Sequence, residues 1–401
     1  MQAQMTVIAA LLLASLALLP AAFCAAAPDD AIPRHRMGTI TVRAQPGATV
    51  RVIQQAHEFW FGTAISSGIF RDDRDPEVRA KYLSVLKENF NSAVHENALK
   101  WYAVGKNPDR TSYATADRIL EWCDANGIPM RGHCIFWAKE RYTPNWVKEL
   151  DDEALRETVR RHAREVTARY RGRIGEYDVI NEMIAGHFFA RRLGPGIRAD
   201  MFRWAQEGDP DATLYVNDYS ILSGGHLDAY EKQIAGLLEA GAPVGGIGCQ
   251  GHFGGGINMG QVKRSLDRLA RFDLPIRITE FDINTDDEPR KARLLKAFYR
   301  TCFAHPAVTG ILMWGFWEGA HWRPKAALWK RDWTPTPAAR AYRELVFHEW
   351  WTDREGQADS EGRCEVEAFY GRHLVESGGK SREVFLRKTD GKAEVDLRDE
   401  G

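Results

Sequence analysis

The chain has 401 residues, is 44% hydrophobic, and carries 54 Lys and Arg against 55 Asp and Glu, a formal net charge of −1. That length suits one large domain with a small appendage, or two ordinary domains. The balanced, mixed-sign charge excludes the basic field that binding to nucleic acid or to an anionic membrane surface would need.

The first element in chain order is an apolar run over residues 5–23, MTVIAALLLASLALLPAAF, with AAA at 25–27. An apolar run ahead of small residues predicts a secretory leader over 1–26 and a secreted or periplasmic protein. No Lys or Arg precedes the run, so a retained anchor is the alternative. No later segment is apolar for long enough to span a bilayer, and no membrane association is expected after leader removal. The next segment, 27–56, contains GTITVRAQPGATVRVIQQA (38–56), whose period-two alternation around a PG turn predicts β structure.

Eight strand candidates follow within 57–350: FWFGTAIS (59–66), FNSAVH (90–95), PMRGHCIFW (129–137), EYDVIN (176–181), TLYVND (213–218), VGGIGCQGH (244–252), PIRITEFD (275–282) and TGILMWGF (309–316). Helical patterns over 76–88, 114–125, 152–170, 198–207, 226–240, 259–272, 289–304 and 336–347 alternate with them. The clearest, 152–170, puts Leu155, Val159, His162, Val166 and Tyr170 on one face. Eight strand-then-helix units predict an α/β fold of the (β/α)8 TIM-barrel type. The runner-up is a doubly wound open sheet, and no GxGxxG follows the first strand to favour its dinucleotide version. Residues 351–401 return to period two, with CEVEAFYGRHLVE, REVFLRK and AEVDL separated by GG and DG turns. We read the two flanks as a small β appendage, one sheet assembled from both chain ends, with packing favoured over sugar binding as its role.

Cys123, Cys134, Cys249, Cys302 and Cys364 are scattered and form no CxxC. They are expected as buried apolar residues, with one disulfide left open. No His, Glu or Asp spacing suggests a metal site, and neither metal nor cofactor is expected.

In a barrel, chemistry sits at the C-terminal ends of the strands. Polar residues gather there: Asn181 and Glu182 after the fourth strand, Asn217 and Asp218 after the fifth, Gln250 and His252 after the sixth, Glu280 and Asp282 after the seventh. The fourth and seventh strands lie on opposite sides of a barrel, so Glu182 and Glu280 should converge over its mouth. Glycoside cleavage needs two such carboxylates, one protonated to donate to the leaving oxygen and one ionised to attack the anomeric carbon or activate water. The 13 Trp, many beside Gly, His or Pro, offer flat rings for sugar faces, with core filling as the competing role.

Several motifs occur in order: ENALKW (96–101), RGHCIFW (131–137), YDVINE (177–182), NDY (217–219), GIGCQGH (247–252), ITEFD (278–282) and WGFWEGAHW (314–322). Together they resemble glycoside hydrolase family 10, the retaining (β/α)8 endo-1,4-β-xylanases, over about residues 57–347. RGHCIFW, HFFARRLG (187–194) and GFWEG (315–319) resemble its plant-type branch. The resemblance implies that Glu182 is the general acid/base and Glu280 the nucleophile. It implies that Asn181 donates to the sugar 2-hydroxyl, that His252 hydrogen-bonds Glu280, and that Asp282 orients His252. Glu280 would stay ionised under such bonds, and Glu182, lacking donors, would keep a raised pKa.

The resemblance further implies that Glu96, Asn97 and Lys100 contact a sugar two places toward the non-reducing side. His133, Trp137 and Gln250 would line the cleavage site. Trp314 and Trp322 would form a platform and wall, and Tyr219 would stack on the leaving-group side. Trp317 and Glu318 stay open as contacts. Three positions depart from the family pattern. Ala138 stands where a His is frequent, a Gln common soon afterwards is missing from AKERYTP (138–144), and Tyr177 replaces a usual Trp. The first two put the fine structure of the substrate in question. The expectation is therefore a monomer acting on a polysaccharide, xylan, by double displacement. Its rivals are hydrolysis of another β-glycan, non-catalytic polysaccharide binding on the same scaffold, and an unrelated acid/base reaction.

Overall fold

The computed structural model describes residues 34–107 and 110–398. The leader expected over 1–26 lies outside them. Two strands come first, β1 (Met37–Arg43) and β2 (Thr49–His57). Eight more then close into a barrel: β3 (Trp60–Ile65), β4 (Ser92–His95), β5 (Met130–Trp137), β6 (Ile174–Asn181), β7 (Thr213–Asp218), β8 (Gly246–Phe253), β9 (Ile276–Ile283) and β10 (Val308–Met313). All neighbours pair in parallel, and β10 returns to pair with β3, which excludes the open-sheet alternative. Each predicted strand is present, and a helix follows each.

The helices begin where local chemistry starts them. Asp151 caps Asp152–Arg169 by accepting from the Ala154 N–H at 2.8 Å, and Asp75 caps Pro76–Asn89 by accepting from the Glu77 N–H. Leu155, Val159, His162 and Val166 are buried along the first of these, on the predicted face. His162 is a satisfied core residue: its Nε2 donates to the Ile135 carbonyl, and its ring stacks on Trp101 at 4.1 Å.

The barrel interior is not wholly apolar. Arg131 on β5 donates to Glu176 and Asp178 on β6, and Arg277 on β9 reaches Glu176 at 2.7 Å. Strands β6 and β9 are not neighbours, so this last contact crosses the barrel. These guanidiniums and carboxylates pair with one another out of water, which is the condition for tolerating buried charge.

The flanks form β1, β2, β11 (Asp353–Gln357), β12 (Arg363–Phe369), β13 (Gly371–Ser377), β14 (Lys380–Leu386) and β15 (Lys392–Asp396). Both chain ends contribute, as expected, but the single sheet is corrected to two, ordered β12-β1-β15 and β11-β2-β13-β14. The reason is burial. Each strand has one apolar face, and two sheets packed together cover Ile40, Val42, Val50, Val52, Val366, Val375 and Leu386 in one core. Period-two alternation marks a buried face without saying what covers it. Arg36 ties this unit to the barrel by donating to the carbonyls of Phe303, His305 and Val308. All five described cysteines are buried and unpaired. Among the described residues no helix is long and apolar enough to cross a membrane.

Candidate active site at the barrel mouth

The C-terminal ends of β5 to β9 bring the predicted polar residues together. Glu280, on β9, is 4% exposed. His252 Nε2 donates to its Oε2 at 3.2 Å, and Asn217 Nδ2 donates to its Oε1 at 2.9 Å. His133 Nε2 stands 3.9 Å from the same Oε1, with its Nδ1 donating to Asp178 Oδ2 at 2.8 Å. Burial alone would raise the Glu280 carboxyl, but His133, the His252 bond and Lys100 overrule it and hold it at about 2. Glu280 is therefore an ionised, desolvated carboxylate at neutral pH.

His252 is the mirror case. Burial disfavours its cation, yet its bonds to Asp282 and Glu280 raise it from 6.5 to about 9. Its Nδ1 donates to Asp282 Oδ2 at 2.8 Å, so both ring nitrogens are donors, as the imidazolium requires. Asp282 is held in turn by Trp322 Nε1 at 2.9 Å and by Arg323 at 3.2 Å. The expected Asp282–His252–Glu280 relay is thus present, and Arg323 extends it.

Glu182 directly follows β6, with φ of 59° in the left-handed region. That conformation costs a non-glycine residue about 1 kcal/mol or more. Backbone bonds hold it there: the Glu182 N–H donates to the Asn217 carbonyl, and the Gly186 N–H donates to the Glu182 carbonyl. Gln250 Nε2 donates to Glu182 Oε1 at 3.3 Å and to Asn181 Oδ1 at 3.2 Å. Asn217 also donates to Asn181 Oδ1, at 3.0 Å. Both bonds use the Asn181 oxygen and leave its NH2 out of them.

The expectation that Glu182 lacks donors is corrected. Besides Gln250, the ammonium of Lys139 meets Glu182 Oε2 as an ion pair, and no aligned hydrogen bond reaches that oxygen. Lys139 belongs to the loop after β5, which folds back over the mouth because the Ala138 N–H donates to the Asn181 carbonyl at 3.0 Å. Asp218, next to this pair, is buried. Burial pushes its carboxyl up to about 7 despite the N–H groups of Ile184 and Tyr219.

The outer residues fall in two groups. Lys100 is buried, donates to Asn97 Oδ1 at 3.0 Å, and lies over the rings of Trp137 at 4.6 Å and Trp314 at 5.6 Å. Burial raises the nearby Glu96 carboxyl. Tyr102 joins Asn97, and Tyr142 stacks on Trp137 at 3.5 Å. Trp137 Nε1 is buried and has no hydrogen-bond partner among the described residues. Trp314 is buried against His133, whereas Trp322 is 48% exposed and leans on His252 at 4.8 Å. Tyr219 lies under the Lys139 ammonium at 4.6 Å. Trp317 is outside this assembly: it stacks on Trp333 at 4.4 Å, and Glu318 accepts from the Arg331 N–H. Tyr177 is buried, and a Cβ on Gly132 would come within 2.2 Å of its ring, so this departure is a matter of packing.

Lys139, Asp178, Thr279, Arg323, Tyr102 and Tyr142 were not anticipated. Thr279 donates to Asn217 Oδ1 at 2.6 Å and so orients the amide between Asn181 and Glu280. Arg323 could have been found as the neighbour of Trp322. Lys139 carries no signal in the sequence that separates it from a solvated loop lysine.

The family model described as "Glycosyl hydrolase family 10" matches residues 50–345. The anti-sigma-I factor RsgI6 of Acetivibrio thermocellus is 39% identical over 329 residues, covering 82% of this chain and 42% of that protein. Endo-1,4-beta-xylanase 1 of Arabidopsis thaliana is 36% identical over 335 residues, covering 82% of this chain and 34% of that protein. The chain thus spans less than half the length of these relatives. Among solved structures, xylanase 10B of Thermotoga petrophila in complex with xylobiose superposes with a TM-score of 0.67 at 28% identity, covering 72% of this chain and 94% of that one.

Proposed function

Because this chain belongs to glycosyl hydrolase family 10, we propose that it is a secreted, retaining endo-β-1,4-xylanase cleaving internal bonds of xylan. The observation that carries the reading is the unlike treatment of two carboxylates at one mouth. Glu280 is kept ionised by His133, His252 and Lys100, and Asn217 donates to it. Glu182 stands at the end of β6 with one amide donor, Gln250, and an ion pair to the Lys139 ammonium. The similarity to xylanases from Arabidopsis thaliana and Thermotoga petrophila supports xylan as the substrate.

In the first step the Glu182 carboxyl gives its proton to the glycosidic oxygen while Glu280 attacks the anomeric carbon. The carbon–oxygen bond breaks, the shortened chain leaves as an alcohol, and the remaining sugar is esterified to Glu280. In the second step Glu182, now a carboxylate, takes a proton from water as its oxygen attacks the same carbon. The ester bond breaks, Glu280 is regenerated, and the anomeric configuration is retained. The Asn181 NH2 suits the 2-hydroxyl contact that strengthens in the transition state.

Soluble xylan, β-glucan and β-mannan are offered to the wild type, Glu182→Ala and Glu280→Ala. Short xylo-oligosaccharides from wild type, β-configured when first formed by proton NMR, and almost none from either variant, are expected. Release from glucan or mannan alone would overturn xylan as the substrate, and an α-configured first product would overturn retention. Export is tested by N-terminal sequencing of the secreted protein, expected to begin near residue 27. A chain still beginning at residue 1 in the membrane fraction would favour an anchor.

A further inference from the structure

Lys139 is a feature of the mouth that neither the two-carboxylate chemistry nor the glycone contacts absorb. Three observations converge on it. Its ammonium pairs with Glu182 Oε2, the oxygen without an aligned hydrogen bond. Its Nζ also lies over the ring of Tyr219, the residue that the family resemblance puts on the leaving-group side. Its side chain is 21% exposed, held at the mouth by a loop rather than buried in a strand.

We propose that Lys139 is a positioning residue that sets the alkaline limit of catalysis by pairing with the acid/base carboxylate. The inference rests on the assignment of Glu182 as acid/base. A general acid works only while it holds its proton, and an ammonium in contact favours the carboxylate instead. The pair also fixes the carboxylate's direction, toward the leaving-group side. The groups facing Glu182 are Lys139 from the loop after β5, Gln250 from β8, the buried Asp218 at the end of β7, and the ionised Glu280 on β9, joined to it through Gln250, Asn181 and Asn217. Lys139 is the only fixed positive charge among them. Asp218 opposes it, since it titrates near neutrality and adds negative charge above that point. Contact with Glu182 holds Lys139 cationic against the desolvation that would lower its pKa, so the charge persists across the working range.

The test compares wild type, Lys139→Met and Lys139→Arg by the pH dependence of kcat/KM on xylan. It adds 13C-carboxyl NMR titration of Glu182 in glutamate-labelled protein without substrate. Lys139→Met should move the alkaline limb up by about one pH unit, since an opposite charge in contact shifts a carboxyl by roughly one to three and this one is partly solvated. The acid limb, which Glu280 governs, should stay. Lys139→Arg should keep the wild-type limb. In the titration, Glu182 should hold its proton to higher pH in Lys139→Met. An alkaline limb and a Glu182 titration both unmoved in Lys139→Met would overturn the proposal. Wild type inactive on every glycan, with a Glu182 titration that still moves, would overturn the assigned reaction and leave the pairing in place.

Discussion

Glu280 and Glu182 are one residue type at one barrel mouth, yet different parts of the fold hold them. The hydrogen-bond donors to Glu280, and the imidazole nearest its other side, stand on strands: Asn217 on β7, His252 on β8 and His133 on β5. Glu182 has left its strand, with φ of 59°, and takes its cation from a loop. Strand partners are set by barrel register, which cannot drift without moving the core. Loop partners can change while the core stays. The environment of Glu280 is therefore rigid, and that of Glu182 is where such a barrel can be tuned.

The largest expected effect breaks this comparison at its chemical root. Glu280→Ala removes the atom that attacks, so kcat/KM should fall by on the order of 10^4 or more on any leaving group. Glu182→Ala removes only proton transfer, worth roughly 10^2 to 10^4 on xylan. A nitrophenyl xylobioside needs little protonation to leave, so the first step should recover in Glu182→Ala and fail in Glu280→Ala. Equal losses on both substrates would mean that the two roles are not divided as proposed.

His252→Asn comes next, with an expected loss of about ten- to a hundredfold, the range of a lost orienting partner. The sign of its pH effect follows from the charges. His252 is held cationic up to about 9 and helps to depress Glu280 to about 2. Without it, Glu280 should take up protons at higher pH, and the acid limb of kcat/KM should move up. Stability should respond as well. A folded value raised from 6.5 to about 9 contributes stability that is complete below 6.5 and is lost as pH rises through 9. The wild type should therefore lose more of its Tm advantage over His252→Asn between those two values than below 6.5. A gap constant in pH would mean that His252 titrates alike in the folded and the unfolded protein.

The division between strand and loop also marks what the sequence could tell. All eight barrel strands, and Glu182, Glu280, His252 and Asp282 at their ends, were legible, because short β-rich runs with polar C-terminal ends are local patterns. Asn217 was placed at the mouth, but its bridging of Asn181 and Glu280 depends on three strands meeting and on Thr279 turning its amide. Lys139 was invisible, since its meeting with Glu182 depends on how one loop folds back. The second sheet of the appendage was missed for a related reason. Val42 and Val52 show that each strand has a buried side, and nothing in their spacing shows that they face each other across two sheets.

The smallest expected effect on activity lies in that appendage. Val52→Ala removes two methyl groups from a fully buried site between the sheets, and the cost should be about 1–3 kcal/mol of stability. Its strand, β2, ends at His57, which donates from Nε2 to the Val346 carbonyl and so packs on the barrel flank rather than at the mouth. None of the bonds that hold Glu280, His252 or Glu182 involves a residue of either sheet. Tm should therefore fall while kcat/KM at a temperature well below it stays within about twofold of wild type. A fall in kcat/KM at unchanged Tm would instead give the sandwich a part in holding substrate, and the contrast between a rigid mouth and a supporting flank would have to be redrawn.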